Sequence, residues 1–270
     1  MIITEVSPAA LGALDRIRPR TLWRTPEGQG WGPLPGLLLT LTAVTGLVDA
    51  VSILALGRVF VANMTGNVVF AGFAITGAPG FSLASSLAAL AGFLAGAGAG
   101  GMMTARLGGD RALHLRIAAS AELLLVAAAL IIAAASGGPA ATRGTLSLAN
   151  GAPGFGPAVT DVMAAILAVA MGIQNTVARR LAVPDLTTTV LTMTLTGIGA
   201  DLRTGSRRHI TLSRRLLAVS TMLAGGIGGA ALVLHTGVVA AVAVATGLLA
   251  LAAGGAALAA RRDGEWRHAA

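Results

Sequence analysis

The 270-residue chain contains no cysteine, no tyrosine and no lysine, and only 11% of its residues are charged. The absence of cysteine excludes disulfides, thiolate metal sites, thiol catalysis and iron–sulfur clusters. Soluble domains carry about 25% charged residues, so a soluble chain this poor in charge could not cover its own surface. Aromatic residues make up 3% of the chain, and only Trp266 follows Phe155. This scarcity leaves no stacking platform for nucleic-acid bases.

Apolar side chains are abundant instead and account for 55% of the residues. A membrane-spanning helix needs about 20 predominantly apolar residues. Six stretches meet that length: 34–56, 83–105, 117–136, 158–178, 216–234 and 238–260. Two shorter uncharged stretches, 59–77 and 186–200, are interrupted by glycine and polar residues. The sequence therefore predicts an all-α membrane protein with six spans and two re-entrant or broken segments, or with eight spans if both short stretches cross.

The 19 arginines help to choose between six and eight spans, because short cytoplasmic loops carry an excess of basic residues. With the N-terminus inside and both short stretches re-entrant, 17 arginines are cytoplasmic and only Arg58 and Arg143 lie outside. Eight full spans would place 13 inside and six outside. The distribution favours six spans with both termini cytoplasmic. It also spreads the net charge of +8 over every cytoplasmic segment, which argues against a nucleic-acid partner.

An internal repeat divides the membrane part of the chain. A shift of about 126 residues places 45–67 on 171–194 with one gap, so that Gly46 meets Gly172 and Asp49 meets Asn175. Because each half has three spans, an odd number, the second half is predicted to be inverted. The expected order is a cytoplasmic tail, a first membrane repeat, an extracellular linker, a second membrane repeat and a cytoplasmic tail, at 1–33, 34–136, 137–157, 158–260 and 261–270.

The two segments that carry the repeat also have a familiar pattern. They read GLVDAVSILALGRVFVANMTGNVV and MGIQNTVARRLAVPDLTTTVLTMTLTG, and they resemble the two signature regions of the YoaK-like family. That family consists of bacterial inner-membrane proteins grouped under a domain of unknown function. The resemblance covers roughly residues 34–260. It implies a six-span membrane protein, without a particular substrate or activity.

Asp49 is the clearest candidate for a functional residue, because an ionisable side chain inside a span is costly and usually faces a cavity or a partner. It shares one face of the first span with Thr42, Thr45 and Ser52. Its carboxylate could bind a cation, carry a coupling proton or contact a solute. The alternative is that threonine and asparagine neighbours, or Arg58, satisfy it for structural reasons.

Two polar segments in an apolar setting complete the candidate site. Non-helical backbone at membrane depth must line a cavity or be buried in protein, and we expect Gly66 and Gly197 to break their helices. Glu122 is either a second cavity carboxylate or the buried partner of Arg116 or of a neighbouring helix. The alternative for the threonines is that their hydroxyls bond to carbonyls of their own helix. The predicted substrate- or ion-binding residues are Asp49, Asn63, Thr65, Gly66, Asn67, Glu122, Gln174, Asn175, Thr188, Thr189, Thr192 and Thr196.

Glycines spaced four residues apart predict close helix packing, and they also offer a surface for homo-oligomers. They are Gly92, Gly96 and Gly100 in the second span, and Gly225 and Gly229 in the fifth. No HExxH motif, nucleophile elbow or phosphate-binding loop occurs, so no enzymatic activity, catalytic residue, metal or cofactor is predicted. The favoured function is secondary transport of a small polar solute or ion by alternating access, with the lipid bilayer as surroundings. A channel, or a structural or signalling membrane protein, is the alternative.

Overall fold

The computed structural model describes residues 30–137, 155–186, 191–201, 209–261 and 264–267. Within these ranges it contains eight α-helices, one short 3₁₀ turn at Glu265–Arg267 and no β-strand. The helices are α1 (Leu34–Ala55), α2 (Met64–Ile75), α3 (Leu83–Arg106), α4 (Arg111–Ala135), α5 (Pro157–Leu181), α6 (Leu191–Asp201), α7 (His209–His235) and α8 (Val238–Ala259).

Six of these helices, namely α1, α3, α4, α5, α7 and α8, are long and apolar enough to cross a membrane. They coincide with the six predicted spans, so the all-α six-span fold is confirmed. Two of them begin earlier than predicted, α4 at Arg111 and α7 at His209. Asp110 starts α4 because its Oδ1 accepts a hydrogen bond from the backbone N–H of Leu113 at 3.1 Å, which caps the helix. The first turns of α4 and α7 contain arginines. A search for uncharged stretches therefore places the start of each helix too late.

The most extensive helix contacts pair α1 with α7 and α3 with α5. Glycines bring both pairs together at backbone distance: a methyl group at Gly92 would lie 2.6 Å from the carbonyl oxygen of Ala165, and one at Gly229 would lie 2.7 Å from that of Leu47. These contacts confirm that the glycine runs serve packing. They also show that the faces that the sequence offers for oligomers are covered within the chain.

The glycine contacts of the two pairs correspond residue by residue. Gly225 packs on the carbonyl of Ala43, as Gly96 packs on that of Val169, and Gly229 lies on Leu47 as Gly100 lies on Ile173. Both correspondences follow the shift of 126 residues between α1 and α5. Gly46 and Gly172 complete the pattern, since a methyl group on either would collide with a carbonyl oxygen of the opposite helix, that of Met222 or Phe93.

The first short stretch re-enters instead of crossing. A methyl group at Gly57, just after α1, would lie 3.7 Å from both Ser85 Oγ in the first turn of α3 and Thr160 Cγ2 in the first turn of α5. The chain between α1 and α3 therefore returns to the end of the molecule that it left. With 12 residues, α2 is about 18 Å long, well short of the bilayer core of about 30 Å.

A second set of contacts lies at the opposite end of the helices. Arg267, after α8, forms an ion pair with Asp110 at the start of α4 (Nη2–Oδ2 2.5 Å). The guanidinium of Arg111 lies 4.7 Å from the ring centroid of Trp31, which precedes α1. The beginning of α1, the beginning of α4 and the end of α8 thus meet at one end. The predicted N-terminal tail up to residue 29, and residues 138–154 of the predicted linker, fall outside the described residues.

Candidate functional site

The break between α1 and α2 forms the base of the candidate site. Gly57 and Arg58 adopt left-handed backbone conformations (φ 78° and 58°), which turn the chain out of α1. The following segment runs back along α1, and the backbone N–H of Ala62 donates to Oδ1 of Asp49 at 3.3 Å. Asp49, which is 8% exposed, therefore holds a backbone amide that the break releases from helical pairing.

Three neighbours that share a helix face with Asp49 donate their hydroxyl groups to backbone carbonyls. Thr42 Oγ1 donates to the carbonyl of Leu38, and Thr45 Oγ1 to that of Leu41. Ser52 Oγ donates to the backbone carbonyl of Asp49 itself, at 3.0 Å. The threonine hydroxyls thus bond to their own helix, and the side chain of Asp49 accepts from the backbone amide of Ala62 in the broken segment.

The side chain of Asn67 stabilises the broken segment by bonding to the backbone of Phe60. Its Nδ2 donates to the carbonyl of Phe60 at 2.5 Å, and its Oδ1 accepts from the N–H of Phe60 at 2.8 Å. The fully buried Asn67 side chain thereby replaces both helical hydrogen bonds that Phe60 lacks in the break. Gly66 leaves room for the Phe60 ring, since a methyl group there would lie 2.7 Å from Cε2 of that ring. The ring of Phe70 stacks on that of Phe60, with ring centroids 5.7 Å apart.

The expectation that Gly66 and Gly197 break their helices is wrong. Gly66 lies in the first turn of α2, and Gly197 lies inside α6. The first break extends instead from Gly57 to Asn63, because the left-handed residues Gly57 and Arg58 end α1 and the Asn67 side chain replaces the missing backbone pairing. Gly66 is needed for the close approach of Phe60.

A cavity of about 600 Å³ lies between α1 and α7 beside this break; it is widely open to the outside of the helix bundle, and nearly all of its accessible surface is apolar. Gly46, Asp49 and Ala50 line it from α1, and Phe60 lines it from the broken segment. The lining from α7 consists of apolar side chains and small residues, such as Met222, Ile227, Gly226 and Ala230. Asp49 is the single polar side chain among the described residues that line the cavity.

Gln174 lies where the two halves of the membrane part meet. Its Nε2 donates to Thr45 Oγ1 at 2.8 Å, which links α5 to α1, and it is 2% exposed. Asn175, the counterpart of Asp49, is half-buried, and the neighbouring Thr176 donates to the carbonyl of Ala97 in α3 at 3.2 Å. Neither Gln174 nor Asn175 lines the cavity that contains Asp49. The structure therefore gives Gln174 a place in the contact between α5 and α1.

The remaining predicted residues are dispersed. Glu122 is fully buried in α4, which packs on α8 and α5. Asn63 and Thr65 are exposed on α2 and its cap, and Thr192 and Thr196 are exposed on α6. Thr196 Oγ1 donates to the carbonyl of Thr192 at 2.9 Å, the local bonding that was the alternative for these threonines. Thr188 and Thr189 lie outside the described residues.

Other carboxylates of the described part have their own partners. Ser85 Oγ donates to Asp161 Oδ1 at 2.5 Å, and Arg215 Nε lies 2.9 Å from Asp185 Oδ1. The second of these contacts ties the chain after α5 to the first turns of α7. Within the described ranges, no group of three or more histidines, aspartates or glutamates is placed to hold a metal ion.

Sequence reasoning missed Phe60 and the α7 wall of the cavity. One signal could have pointed to α7: Gly46 precedes Asp49 by three residues, so both share a helix face, and the glycine-rich part of α7 is a suitable surface to pack there. The role of Phe60 leaves no such signal, because it depends on backbone groups that every residue has.

Comparisons with known proteins place these elements in a family. The model of the family described as "Protein of unknown function (DUF1275)" matches residues 37–255, which include the break, the cavity and both glycine interfaces. The UPF0700 transmembrane protein YoaK of Bacillus subtilis strain 168 is 33% identical over 168 residues, which cover 61% of this chain and 64% of YoaK. The match thus spans less than two thirds of YoaK, and no solved structure matches the chain. The chain is an integral membrane protein and belongs to the DUF1275 family.

Proposed function

We propose that this protein is a secondary transporter, and not an enzyme, that carries a small polar solute across the bacterial inner membrane by alternating access. The observation that carries the proposal is the carboxylate of Asp49 in a cavity between two spans. An ionisable group at membrane depth is costly and most often marks a solute or ion pathway. Asp49 recognises the solute's charge or carries the coupling ion.

An inverted repeat supports alternating access, because transporters with this symmetry rock one bundle against another around a central site. The residue-by-residue correspondence between the α1–α7 and α5–α3 contacts is the first support. The second is the direction of α5 relative to α1. Gln174 lies near the end of α5 and bonds to Thr45 in the middle of α1, whereas Thr160, near the start of α5, lies beside Gly57, just beyond the end of α1. The two helices thus run antiparallel, as inverted counterparts must.

The packing suggests which parts move. The α1–α7 and α3–α5 pairs are tightly packed through glycines, whereas α1 and α5 touch much less extensively. Each pair combines one helix from each half and forms one rigid unit in this proposal. The hydrogen bond from Gln174 to Thr45 lies between the units and changes partners as they rock. The bilayer-facing surfaces of the units slide past lipid, without a new protein interface.

The arginine distribution indicates which side of the membrane each end of the helices faces. The end that joins Trp31, Asp110, Arg111 and Arg267 is cytoplasmic in this proposal, together with both termini and residues 1–33 and 261–270. The opposite end, with Gly57, faces outward together with the linker 137–157. The absence of cysteine makes this orientation directly testable with single introduced cysteines.

The topology test uses Thr65→Cys and Thr196→Cys, since both threonines are exposed. A membrane-impermeant thiol reagent applied to intact cells should label Thr65→Cys, and Thr196→Cys should require inside-out vesicles. Labelling of both variants from one side would contradict the inverted repeat and, with it, the proposed mechanism.

The transport test compares proteoliposomes that contain the wild type, Asp49→Asn and Asp161→Asn. Solute-dependent currents on a supported membrane are recorded across a collection of small cations, amines and amino acids. We expect a current with the wild type and Asp161→Asn that is lost in Asp49→Asn, because Asp161 is bonded to Ser85 away from the cavity. Equal currents in all three variants would overturn the role of Asp49, and no current with any solute would favour a structural or signalling protein.

A further inference from the structure

We propose that Glu122 in α4 holds an exchangeable proton and couples transport to the proton gradient across the membrane. This inference rests on the proposed transport function, because a coupling ion has a role only where a solute is carried. It assigns the coupling ion to Glu122 and leaves recognition of the solute to Asp49. The protonation of Glu122 can be measured without any solute.

Glu122 is the most deeply buried ionisable side chain of the described spans. It lies near the middle of α4 and is 0% exposed. The nearest buried residues on the same helix face, three or four positions away, are Ala118, Ala119 and Val126. The helices that pack most extensively on α4 are α8 and α5, and the buried face of α8 consists of alanine, valine and leucine. The carboxyl of Glu122 is therefore removed from water at membrane depth, on an otherwise apolar part of the helix face.

The charged groups of the elements that pack on α4 lie near helix ends, whereas Glu122 is central. Arg116 is the basic residue closest to Glu122 along α4, and its side chain is exposed. Helix α8 contains no ionisable residue. An ionised carboxylate at such a depth is costly, and a carboxyl that holds its own proton is neutral. The other charged or titratable residues of these elements are Arg106 in α3, Arg111 and His114 in α4, Asp161, Arg179 and Arg180 in α5, and Glu265 and Arg267 in the short turn.

A proton suits this place better than a metal cation. A cation without its water needs several oxygen ligands, whereas a proton needs one carboxyl oxygen. The nearest side chains on the face of α4, and the buried side chains of α8, end in hydrocarbon. The buried polar side chains of α5 are Thr160, near its start, and Gln174, whose Nε2 donates to Thr45. The surroundings of Glu122 therefore favour the proton as the coupling ion.

The position of Glu122 links its protonation to the proposed movement. Helix α8 packs on α1 and helix α4 packs on α5, so each belongs with one of the two moving units. The contact between α4 and α8 then lies between the units. Rocking changes this contact and opens the buried face of α4 to water on one side of the membrane at a time. An O–H bond forms on the Glu122 carboxylate with a proton from one side, and the same bond breaks when the carboxyl faces water on the other side.

Asp49 is less suited to carry this proton. Its Oδ1 accepts the backbone N–H of Ala62, and a hydrogen bond of this kind favours the ionised carboxylate. Asp49 also supports the broken segment in its ionised form. The counterpart of α4 in the second half is α8, which has no ionisable residue, so we expect one coupling proton per chain.

The first experiment is infrared spectroscopy of the full chain at neutral pH in dodecyl maltoside, a detergent without a carbonyl group. The difference spectrum between the wild type and Glu122→Gln should contain the C=O stretching band of a protonated carboxyl, and heavy water should shift that band. Asp161→Asn is the control, because its carboxyl accepts a hydrogen bond from Ser85. Its difference spectrum should lack the band. If Glu122→Gln does not fold, Glu122→Asp should shift the band of the wild type. A difference spectrum without the band, or an unshifted band in Glu122→Asp, would overturn the proposal.

Coupling is measured in proteoliposomes that contain the pH-sensitive dye pyranine, with the solute that gives the largest wild-type current in the transport test. A gradient of that solute should move protons with the wild type and Asp161→Asn. Glu122→Gln should lose this proton movement and keep the exchange of labelled for unlabelled solute, because exchange needs no net proton transfer. A purely structural role of Glu122 would reduce both processes alike.

The outcomes separate the two proposals. Proton movement in Glu122→Gln equal to that of the wild type would retain transport and overturn the proton site. Equal loss of exchange and proton movement would make Glu122 structural and would also overturn it. No current with any solute would remove the transporter hypothesis and the coupling role with it, even if the infrared band is present.

Discussion

The α1–α7 and α5–α3 pairs share their packing and differ in their chemistry. Gly46 and Gly172 occupy corresponding positions, and each places a helix backbone directly against its partner. Three residues farther on, α1 carries Asp49 and α5 carries Asn175. Asp49 supports a broken segment and lines a cavity, whereas Asn175 does not line that cavity. A duplicated scaffold can therefore keep its close contacts in both copies and place an ionisable group in only one.

The largest expected effect concerns the shared packing. Gly46→Ala and Gly172→Ala should each destabilise the protein by about 1–3 kcal/mol, because the added methyl group collides with backbone that cannot move aside easily. Thermal unfolding in detergent measures the loss. Gly98→Ala and Gly228→Ala are matched controls in helices, where a methyl group meets nothing within 4 Å. A strong effect at Gly46 and none at Gly172 would show that the two interfaces are not equivalent.

The second prediction tests the broken segment between α1 and α2. This segment lies beside the cavity and distinguishes the α1–α7 pair from the α5–α3 pair. Asn67→Ala should cost about 1–3 kcal/mol, because it leaves the N–H and carbonyl of Phe60 without their partner. Asn63→Ala is the control, since Asn63 is exposed and caps α2 without a side-chain hydrogen bond. Unfolding curves of both variants decide the outcome. Equal stability of the two would mean that Asn67 does not hold Phe60 in place.

The third prediction concerns the contact between the two halves. Gln174→Leu removes the hydrogen bond to Thr45 and keeps a similar volume, so we expect a loss of about 1 kcal/mol or less. Since the same bond lies between the proposed moving units, the variant should also change the rate of solute-dependent currents. Thr176→Val is the control, because it removes a bond inside the α3–α5 pair. A change in the rate with Thr176→Val alone would contradict the assignment of the units.

The smallest effect is a pH dependence at the opposite end of the molecule. Partial burial raises the pKa of Asp110, but hydrogen bonds from Arg267 and Leu113 outweigh it, so the pKa lies below its ordinary value of 3.8. Because the folded pKa is lowered, the contact stabilises the protein fully above the ordinary pKa. That stabilisation is lost as the pH falls below about 4 and passes through the lowered value. Fluorescence of Trp266 should report release of the C-terminal segment, and Arg267→Gln should abolish the transition.

Much of the fold could be predicted because lipid acts on each segment separately. Stretches of about 20 apolar residues must become helices at membrane depth, whatever their neighbours are. The glycine spacing in α3 and α7 indicated close packing for the same reason, since small residues let helix backbones approach. The early starts of α4 and α7 escaped prediction because capping and solvated first turns tolerate arginine.

The candidate site was predicted less completely. Asp49 was recognised because a carboxylate in an apolar run has few structural uses. Asn67 was recognised as unusual, but its partner is the backbone of Phe60, and a backbone group has no signature in the sequence. The exposed positions of Thr65, Thr192 and Thr196 depend on which face of a short helix packs inward, which a pattern of threonines does not specify.

Sequence alone determined the positions of the six long apolar spans, the glycine faces and the ionisable residue within the first span, because each follows from the free energy of one segment in lipid. Tertiary structure decided which helices pair, where the break lies and what surrounds Asp49. Those features depend on contacts between residues far apart in the chain, such as Gly46 with Met222 and Thr45 with Gln174. They are set by the complementarity between the surfaces of different helices. The sequence of one segment does not contain that information.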